Sequence, residues 1–356
     1  MGYQELKKPK FYIDMMSYLH AAGKTEYFKD IIDSGSSHTY SGTYEDLLYL
    51  NPISIIKTYN SGISDPSVQF KSGGFFPTIP IDFVGLLNHN FGNQPTWITL
   101  EQSAVADSML GDSPYIFDKN INFGANHIFE YNGFSLATFT ATHILDDIER
   151  ITITSRSQYP TIAVRNYLGS FLMGCTWSPP HNPQLKASII RKFDGIKSKK
   201  TQAGHTRSDM NYIGKPLWSG RNPFEQWNYA AGFVPDDSNM IIEDSKTNLG
   251  NTGRRSWKLT WDSVSDTDLF AELEQSNNAL DIVDGSIDNP FLESNTFISR
   301  VWTPTLGGSL PFMLQIDDSN NNPDQFVIAR FKRHSLTLTS KAPNLYSFSV
   351  DIEETW

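Results

Sequence analysis

The sequence predicts a mainly β protein, built from antiparallel β-sandwich or barrel domains with a few short helices. Three observations favour this class. Charged residues make up 19% of the 356 residues and aromatic residues 13%, whereas an average soluble domain is about 25% charged. After residue 128, apolar and polar side chains alternate in one short segment after another, as half-buried antiparallel strands require. Clusters of Gly, Pro, Asn and Asp separate these segments.

The first part of the chain, residues 1–125, is predicted to be an irregular α+β domain. Residues 11–22, FYIDMMSYLHAA, carry apolar side chains three and four positions apart, which predicts a short amphipathic helix that ends near Gly23. Residues 47–60 are apolar and β-branched, and they predict a strand. Gly and Pro are so frequent in residues 61–125 that only short strands between irregular segments are expected there.

The second part, residues 126–356, is predicted to form one or more β-rich domains. A loop and helix excursion is expected near residues 195–295, and a four-strand antiparallel meander is expected over residues 297–356. The strands predicted before the meander are Ile128–Tyr131, Phe134–Thr142, Arg150–Ser155, Thr161–Asn166, Phe171–Trp177, Leu185–Phe193 and Ser256–Val264. The meander strands are Phe297–Thr303, Leu310–Ile316, Gln325–Thr339 and Leu345–Glu353.

Two of these strands alternate clearly enough to assign their faces. In residues 256–264, Trp257, Leu259, Trp261 and Ser263 share one face. In residues 345–353, Tyr346, Phe348, Val350 and Ile352 share one face. A face this rich in large apolar groups is expected to lie against the core. The best helix candidate follows at residues 265–283, with Ser265 or Asp266 as its N-cap.

Net charge and cysteine content exclude several classes of protein. The formal net charge of −10 argues against a general binder of nucleic acid or anionic membranes, since such proteins present a basic surface. One cysteine, Cys175, can form neither an internal disulfide nor a multi-cysteine metal site, and its apolar surroundings predict a buried thiol. No segment approaches the ~18 apolar residues of a membrane-spanning helix.

The sequence contains none of the usual catalytic motifs: no phosphate-binding loop, dinucleotide fingerprint, zinc-protease helix or serine-hydrolase elbow. Pairs of carboxylates are a separate case, because glycoside hydrolysis needs only two. The adjacent pairs 146–147, 317–318 and 353–354 would point to opposite faces of a strand, and Asp266 and Asp268 fit a helix start. We therefore predict no enzymatic activity, no catalytic residue and no cofactor.

Two further features allow alternative interpretations. Residues 317–324, DDSNNNPD, resemble a calcium loop but lack the glycine and terminal glutamate of an EF-hand, so a hydrophilic turn is favoured over a cation site. Exposed tryptophans can stack on sugar rings, although tryptophans in alternating strands mostly pack in the core. The tryptophans in question are Trp177, Trp218, Trp227, Trp257, Trp261 and Trp302.

Charge is distributed unevenly along the chain. Residues 186–207 hold seven Lys and Arg against one Asp, whereas residues 262–293 hold nine Asp and Glu and no Lys or Arg. Solvated loops are the favoured interpretation of both stretches, and the alternative is that the basic stretch of one copy meets an acidic surface of another copy or of a partner. The candidate interface residues are Lys186, Arg191, Lys192, Lys197, Lys199, Lys200, Arg207, Arg254 and Arg255.

Two stretches carry a resemblance to a known group of proteins. Residues 253–270, GRRSWKLTWDSVSDTDLF, and residues 297–356, beginning FISRVWTPTLGGSLPFMLQ, resemble uncharacterised virion proteins of marine tailed bacteriophages. Residues 183–218 resemble the same group more loosely. In layout the chain is similar to distal tail proteins, which place a β-sandwich ring domain around the tail axis and connect the tube to the fibres.

The resemblance implies a structural protein, since this group supplies no catalytic motif. The expected function is a subunit of a tail-tip or baseplate ring, assembled in the host cytoplasm and incorporated into the virion tail. The expected partners are further copies in a ring, such as a hexamer, and the tube, hub and fibre proteins. Neither nucleic acid nor a membrane is an expected partner. The alternatives are a carbohydrate- or receptor-binding β-sandwich protein of the virion, a head–tail connector and a capsid decoration protein.

Overall fold

The structure is a computed structural model, and it describes sixteen segments of the chain. These are residues 7–25, 38–50, 56–60, 67–71, 80–87, 96–102, 116–122, 127–131, 134–144, 148–155, 164–184, 188–192, 196–210, 254–271, 294–322 and 325–355. All of the strand pairs in these segments are antiparallel. The predicted mainly β class is therefore confirmed, while closure into a sandwich or barrel stays a prediction.

Strands dominate the described segments, and a few short helical turns lie between them. The strands are β1 (Lys10–Asp14), β2 (His38–Ser41), β3 (Ile56–Asn60), β4 (Ser67–Lys71), β5 (Pro80–Leu87), β6 (Thr96–Gln102), β7 (Ile116–Asn122), β8 (His127–Tyr131), β9 (Phe134–Ile144), β10 (Ile148–Ser155), β11 (Val164–Leu168), β12 (Ser170–Trp177), β13 (Ser188–Lys192), β14 (Ile196–Lys200), β15 (Thr206–Met210), β16 (Arg254–Ser265), β17 (Phe312–Gln315), β18 (Phe326–Phe331), β19 (Thr337–Ala342) and β20 (Leu345–Glu354). The α-helices are α1 (Met15–Ala21) and α2 (Asp266–Leu269). Short 3₁₀ turns lie at Tyr44–Leu47 and Leu306–Gly308, and a π-helical turn lies at Ile298–Trp302.

The largest sheet has eleven strands. Ten of them follow the order β13-β16-β20-β18-β17-β1-β12-β5-β9-β8, and β19 pairs with β20. Strands β18 and β19 pair with successive parts of β20, through Phe331 opposite Ile352 and Thr337 opposite Ser349. The smaller sheets have the orders β4-β10-β6-β7, β11-β3-β2 and β14-β15.

Strand β1 lies in the middle of the large sheet. Phe11 is opposite Trp177 of β12 on one side and opposite Leu314 of β17 on the other. Strand β5 also joins this sheet, beside β12. The predicted domain boundary at residue 125 therefore does not separate two sheets, because strands from both sides of it are hydrogen-bonded neighbours.

The central strands carry apolar clusters on both faces. On one face, the Phe11 ring lies 5.8 Å from the Trp177 ring and 5.7 Å from the Phe312 ring, measured between centroids. On the other face, the Tyr12 ring meets the Phe83 ring edge-on at 5.2 Å. Strands buried on both faces are apolar without alternation, and β12, with the sequence SFLMGCTW, is an example.

The predicted helix over residues 11–22 is wrong in its first half, where β1 lies instead. The helix α1 begins only at Met15, after Asp14 as its N-cap. The apolar run of β1 is buried on both faces, and its spacing happens to match that of a helix. A strand buried on both faces shows no alternation of apolar and polar residues. In this stretch, only the N-cap residue Asp14 marks where the strand ends and the helix begins.

The first predicted meander strand, 297–303, is also wrong, because the residues form the π-helical turn. Its backbone closes through the Thr303 N–H, which donates to the Ile298 carbonyl at 2.9 Å. The preceding residues are held by side chains, since Thr296 Oγ1 accepts from the Ser299 N–H at 3.3 Å. Phe297 and Val301, four positions apart, are both buried.

The later strands follow the prediction with two local changes. The predicted strand 325–339 is divided into β18 and β19 by a turn in which His334 has a positive φ of 59°. In β16, the register shifts between Trp261 and Val264, and Ser263 adopts a φ of 58°. This bulge turns Ser263 outward and Val264 into the core, so the predicted position of Ser263 on the tryptophan face is wrong.

The predicted helix 265–283 is present in part. Its first turn forms α2, and Ser265 caps it by accepting from the Asp268 N–H at 3.3 Å. Residues 272–283 lie outside the described residues. The predicted excursion near 195–295 contains β14, β15 and β16, which shows that part of it is regular β structure.

Asp14 ties the start of α1 to β12. Its side chain is buried and accepts from the Met16 N–H at 3.2 Å and from the Met173 N–H at 3.4 Å. It also accepts from the Ser17 hydroxyl and backbone N–H. Burial raises the pKa of Asp14 to about 6, although these hydrogen bonds act in the opposite direction.

Because this pKa is raised, the folded protein holds a proton at Asp14 more tightly than the unfolded chain does. The stability that Asp14 contributes is therefore fully present below about pH 4 and is lost as the pH rises through about 6. We expect the free energy of unfolding of the wild type, minus that of Asp14→Asn, to fall by roughly 2–3 kcal/mol between pH 4 and pH 7. Urea denaturation of both proteins at several pH values measures this difference. A difference in unfolding free energy that stays constant between pH 4 and pH 7 would contradict the expectation.

Candidate interface

Eight of the nine predicted interface residues lie in the described part of the chain, and Lys186 lies outside it. The structure places them on four neighbouring or consecutive strands. Arg191 and Lys192 are on β13, Lys197, Lys199 and Lys200 are on β14, Arg207 is on β15, and Arg254 and Arg255 are on β16. They form two surfaces, which we call the basic ribbon (β14 and β15) and the basic edge (β13 with Arg254).

The basic ribbon collects cations on one of its faces. Lys199 lies directly opposite Arg207, and Lys197, two positions away on the same face, lies opposite Asp209. The side chains of Lys197, Lys199 and Arg207 are exposed. The connecting turn closes where the Thr201 N–H donates to the His205 carbonyl at 2.8 Å, with Gly204 at a φ of +82°. Three of these four opposed residues are cations, so this face of the ribbon is predominantly basic.

The basic edge lies at one end of the large sheet. Within the described segments, β13 pairs with β16 on one side and with no strand on the other. All five residues of β13 are exposed, including Ile189 at 36% and Ile190 at 51%. Lys192 is directly opposite Arg254. The edge therefore combines exposed apolar side chains with positive charge.

Arg255 does not belong to the exposed basic surface, and its assignment as an interface candidate needs correction. It is only 9% exposed, and its Nε lies 3.2 Å from Oε2 of Glu354, a residue that is 4% exposed. The Arg255 Nη2 and backbone N–H also donate to this carboxylate, at 3.4 and 3.0 Å. The guanidinium lies 5.3 Å from the centre of the Trp257 ring.

This buried ion pair joins β16 to β20. The sequence contained a signal for it, because the alternation of Trp261, Leu259 and Trp257 continues to Arg255 and so places Arg255 on the core face. Glu354 was missed for the same reason: it continues the buried series of Val350 and Ile352 in β20. A buried Arg and Glu of this kind stabilise each other only as a pair.

The acidic stretch, residues 262–293, is described as far as Ala271. Asp266 and Asp268 lie in the first turn of α2, and the Ser265 hydroxyl donates to Asp268 Oδ2 at 2.8 Å. These two acids serve the helix start, as the sequence indicated. Residues 272–293, which hold six of the nine acids, lie outside the described residues.

The calcium-like loop is organised as a turn by its own side chains. Asp317 Oδ1 accepts from the Ser319 N–H at 3.0 Å, and Asp317 Oδ2 lies 3.4 Å from Lys7 Nζ. Although burial raises the pKa of Asp317, the hydrogen bonds from Ser319 and the charge of Lys7 bring it below its usual range. Across the described segments, no three His, Cys, Asp or Glu side chains are grouped to hold a metal ion.

Most of the remaining sequence candidates in the described segments lie in the core. Trp177, Trp257 and Trp261 are buried, as expected for alternating strands, so none of them presents a face to a sugar; Trp302 is half-buried, while Trp218 and Trp227 lie outside the described residues. Cys175 is buried, as predicted, and burial raises the pKa of its thiol to about 11. Glu353 is exposed while Glu354 is buried, so this carboxylate pair is divided between two faces.

Comparison of the chain with protein-family models, curated protein sequences and solved structures finds no match. No helix in the described segments has the length and apolar character needed to cross a membrane.

Proposed function

We propose that this chain is a structural subunit of a tailed-phage virion, acting in a ring at the tail tip or baseplate and joined to its neighbours through charged surfaces. The observation that carries the proposal is the separation of charge within one chain: an exposed cationic ribbon in one segment and a stretch with nine acids and no base in another. Its partners are other copies of the chain and the tube, hub and fibre proteins of the tail.

Two different complementary surfaces on one subunit favour a ring over a two-fold dimer. A two-fold interface needs a self-complementary patch, whereas a head-to-tail contact between unlike patches gives a ring when its rotation closes and an open filament when it does not. The basic ribbon is not self-complementary, because it holds four cations and one carboxylate, Asp209, so that two copies of it repel each other. An acidic surface on the next subunit relieves this repulsion and sets the orientation of the contact.

The resemblance to phage virion proteins also supports the proposal. The stretches that carry it form β16, α2 and the strands β17 to β20. Five of these strands belong to one half of the large sheet, so the resemblance covers structural framework. The framework residues include the buried pair Arg255–Glu354 and the stacked rings of Trp261 and Phe348, which lie 4.6 Å apart.

The basic ribbon gives a direct prediction. The double variant Lys199→Glu/Arg207→Glu is expected to convert the oligomer to monomer at low salt, because it makes the ribbon repel the acidic stretch. Light scattering coupled to size-exclusion chromatography measures this. The matched control is Lys332→Glu/Lys341→Glu, which changes the net charge equally at exposed positions outside both basic surfaces and should leave the oligomer intact.

Raised salt is expected to weaken the wild-type oligomer in the same way, because exposed charges are screened over about 10 Å at 0.1 M. The assignment to the virion is tested separately, by mass spectrometry of purified virions and negative-stain imaging of the purified chain. A monodisperse wild-type monomer at high concentration, together with absence from virions, would overturn the proposed function.

A further inference from the structure

We propose that Arg330 and the turn that follows it, Lys332–His334, bind an oxyanion of the phosphate class. We call Arg330, Lys332, Arg333 and His334 the cationic turn. The site goes beyond the proposed function, because it is separate from both basic surfaces. Two strands, β20 and β16, lie between β18 and the basic edge, and the basic ribbon belongs to another sheet.

Arg330 carries a positive charge that its surroundings neutralise poorly. Its side chain is half-buried near the end of β18, and its Nε is buried without a hydrogen-bond partner. Glu353 lies directly opposite on β20 but is exposed, and among the described residues Arg330 makes no ion pair. Burial and the charge of Arg333 lower the pKa of the Arg330 guanidinium, while Glu353 acts in the opposite direction. An anion bound here would supply the missing acceptor.

The turn after β18 adds three basic side chains beside Arg330. Lys332, Arg333 and His334 are exposed, and they too make no ion pair in the segments that the structure describes. The main chain holds the turn in place: the Lys332 N–H donates to the Asp351 carbonyl at 2.8 Å, and the Ser335 N–H donates to the Lys332 carbonyl at 3.1 Å. The backbone is therefore fixed by its own hydrogen bonds, and the basic side chains remain available to a ligand.

The number of cations indicates the class of the ligand. A phosphate monoester carries a charge of about −1.5 to −2 at pH 7 and three acceptor oxygens, and a planar guanidinium binds such a group through two parallel hydrogen bonds. A carboxylate is already present opposite Arg330, at Glu353, and no ion pair forms there. The other nearby acid, Asp351, lies opposite Lys258. The site therefore favours a phosphate group over an acidic side chain.

A neighbouring apolar tip distinguishes a soluble phosphate from the phosphate of a lipid headgroup. Gly308 packs so closely on Phe331, the residue before Lys332, that an added Cβ would overlap the Phe331 carbonyl oxygen. This contact places Leu306, which is 43% exposed and has a φ of 50°, next to the cationic turn. A lipid headgroup would bring its acyl chains close to Leu306, whereas a soluble phosphate would leave Leu306 exposed.

Isothermal titration calorimetry of the full chain with pyrophosphate, in buffer free of phosphate and sulfate, tests the site. The wild type is expected to bind saturably. Arg330→Gln and Arg333→Gln should each weaken the affinity at least about tenfold, as expected when a hydrogen bond to a charged group is lost. Lys341→Gln removes an exposed cation from β19 and is the matched control, with wild-type affinity expected. No saturable binding by the wild type, or an equal loss in Lys341→Gln, would overturn the proposal.

A stability measurement separates a ligand-binding role of Arg330 from a structural one. In phosphate-free buffer, Arg330→Met should resist urea at least as well as the wild type, since it removes a half-buried charge that has no ion-pair partner. Pyrophosphate should raise the urea midpoint of the wild type by mass action and leave that of Arg330→Met unchanged. A lower midpoint for Arg330→Met without phosphate would show that the guanidinium stabilises the folded chain, and it would overturn the site.

Sedimentation with phosphatidylcholine vesicles that contain phosphatidic acid identifies the source of the phosphate. Leu306→Ser should bind pyrophosphate as the wild type does. A wild type that sediments with these vesicles, together with a Leu306→Ser variant that does not, supports a lipid phosphate. Pyrophosphate binding without sedimentation supports a soluble one. Binding of a DNA duplex without binding of pyrophosphate would show only a general attraction to polyanions and would overturn the site.

Light scattering of Arg330→Gln/Arg333→Gln separates this site from the proposed function. The oligomeric state of this variant should equal that of the wild type, because the cationic turn is outside the surfaces that join the subunits. A change of oligomeric state in this variant would assign the cations to a subunit contact and overturn the ligand site.

Discussion

The substitution Gly174→Ala is expected to destabilise the protein by about 3 kcal/mol or more. A Cβ atom at this position would lie 2.9 Å from the Met15 N and Cγ atoms and nearer still to the Ile13 carbonyl oxygen. Gly174 is opposite Asp14 in the β1–β12 pair, so the neighbouring atoms are backbone at the point where β1 becomes α1. They cannot move apart without losing the hydrogen bond from the Met173 N–H to Asp14.

Urea or thermal denaturation measures this loss, with Gly204→Ala as the control. Gly204 has a φ of +82° and no atom within 4 Å of an added Cβ, so alanine there meets only backbone strain of about 1–2 kcal/mol. If Gly174→Ala were no more destabilising than Gly204→Ala, the close approach of β1 and β12 would be contradicted. Failure of Gly174→Ala to accumulate as folded protein, with Gly204→Ala folded, is the extreme form of the expected result.

The second large effect is expected at the buried ion pair. Glu354→Ala should lower the free energy of unfolding by about 3–5 kcal/mol, because it leaves the Arg255 guanidinium buried without its carboxylate. The loss should appear as a lower midpoint of denaturation with little change in the slope.

Two controls distinguish this mechanism from a general effect of truncating β20. Glu353→Ala, at the exposed neighbour, should change stability by no more than about 0.5 kcal/mol. The double variant Arg255→Met/Glu354→Leu should recover most of the stability, since apolar side chains of similar size often replace a buried ion pair without loss. A double variant less stable than Glu354→Ala would contradict this mechanism, because the loss of stability could then not be assigned to the buried guanidinium of Arg255 losing its carboxylate.

The strands that sequence analysis predicted well are those with a local signal. In β16 and β20, large apolar residues alternate with polar ones, and the structure buries Trp257, Trp261, Phe348 and Val350 accordingly. Strand β12 was found for a different reason, as an apolar run of strand length with Gly and turn residues at its ends. These signals depend only on neighbours in the sequence.

The errors arise where distant contacts decide the structure. Residues 10–14 become a strand because β12 and β17 lie on either side of them, and neither neighbour is close in sequence. The π-helical turn at Ile298–Trp302 depends on burial of Phe297 beneath the sheet, where its ring lies 4.9 Å from that of Phe348. The bulge at Ser263 depends on how β16 pairs with β20.

The candidate interface was predicted in part for similar reasons. The excess of cations in residues 186–207 is a property of composition, so it is visible in the sequence. The pairing of Lys199 with Arg207 is a property of register, set by the turn over residues 201–205, and it was not predicted. Arg255 continues the alternation of Trp261, Leu259 and Trp257 by one more position, which places its side chain on the buried face although it is charged.

The central position of β1 has a consequence for how the protein is made. Lys10 pairs with Gln315, so a strand that leaves the ribosome early has to wait for a partner encoded about 300 residues later. At roughly 5–20 residues per second, that interval is about 15–60 s. During it the unpaired edge of β1 and the rings of Phe11 and Tyr12 lack half of their eventual surroundings. Production of this chain is therefore expected to depend on chaperones or low temperature, which limit aggregation while the sheet is incomplete.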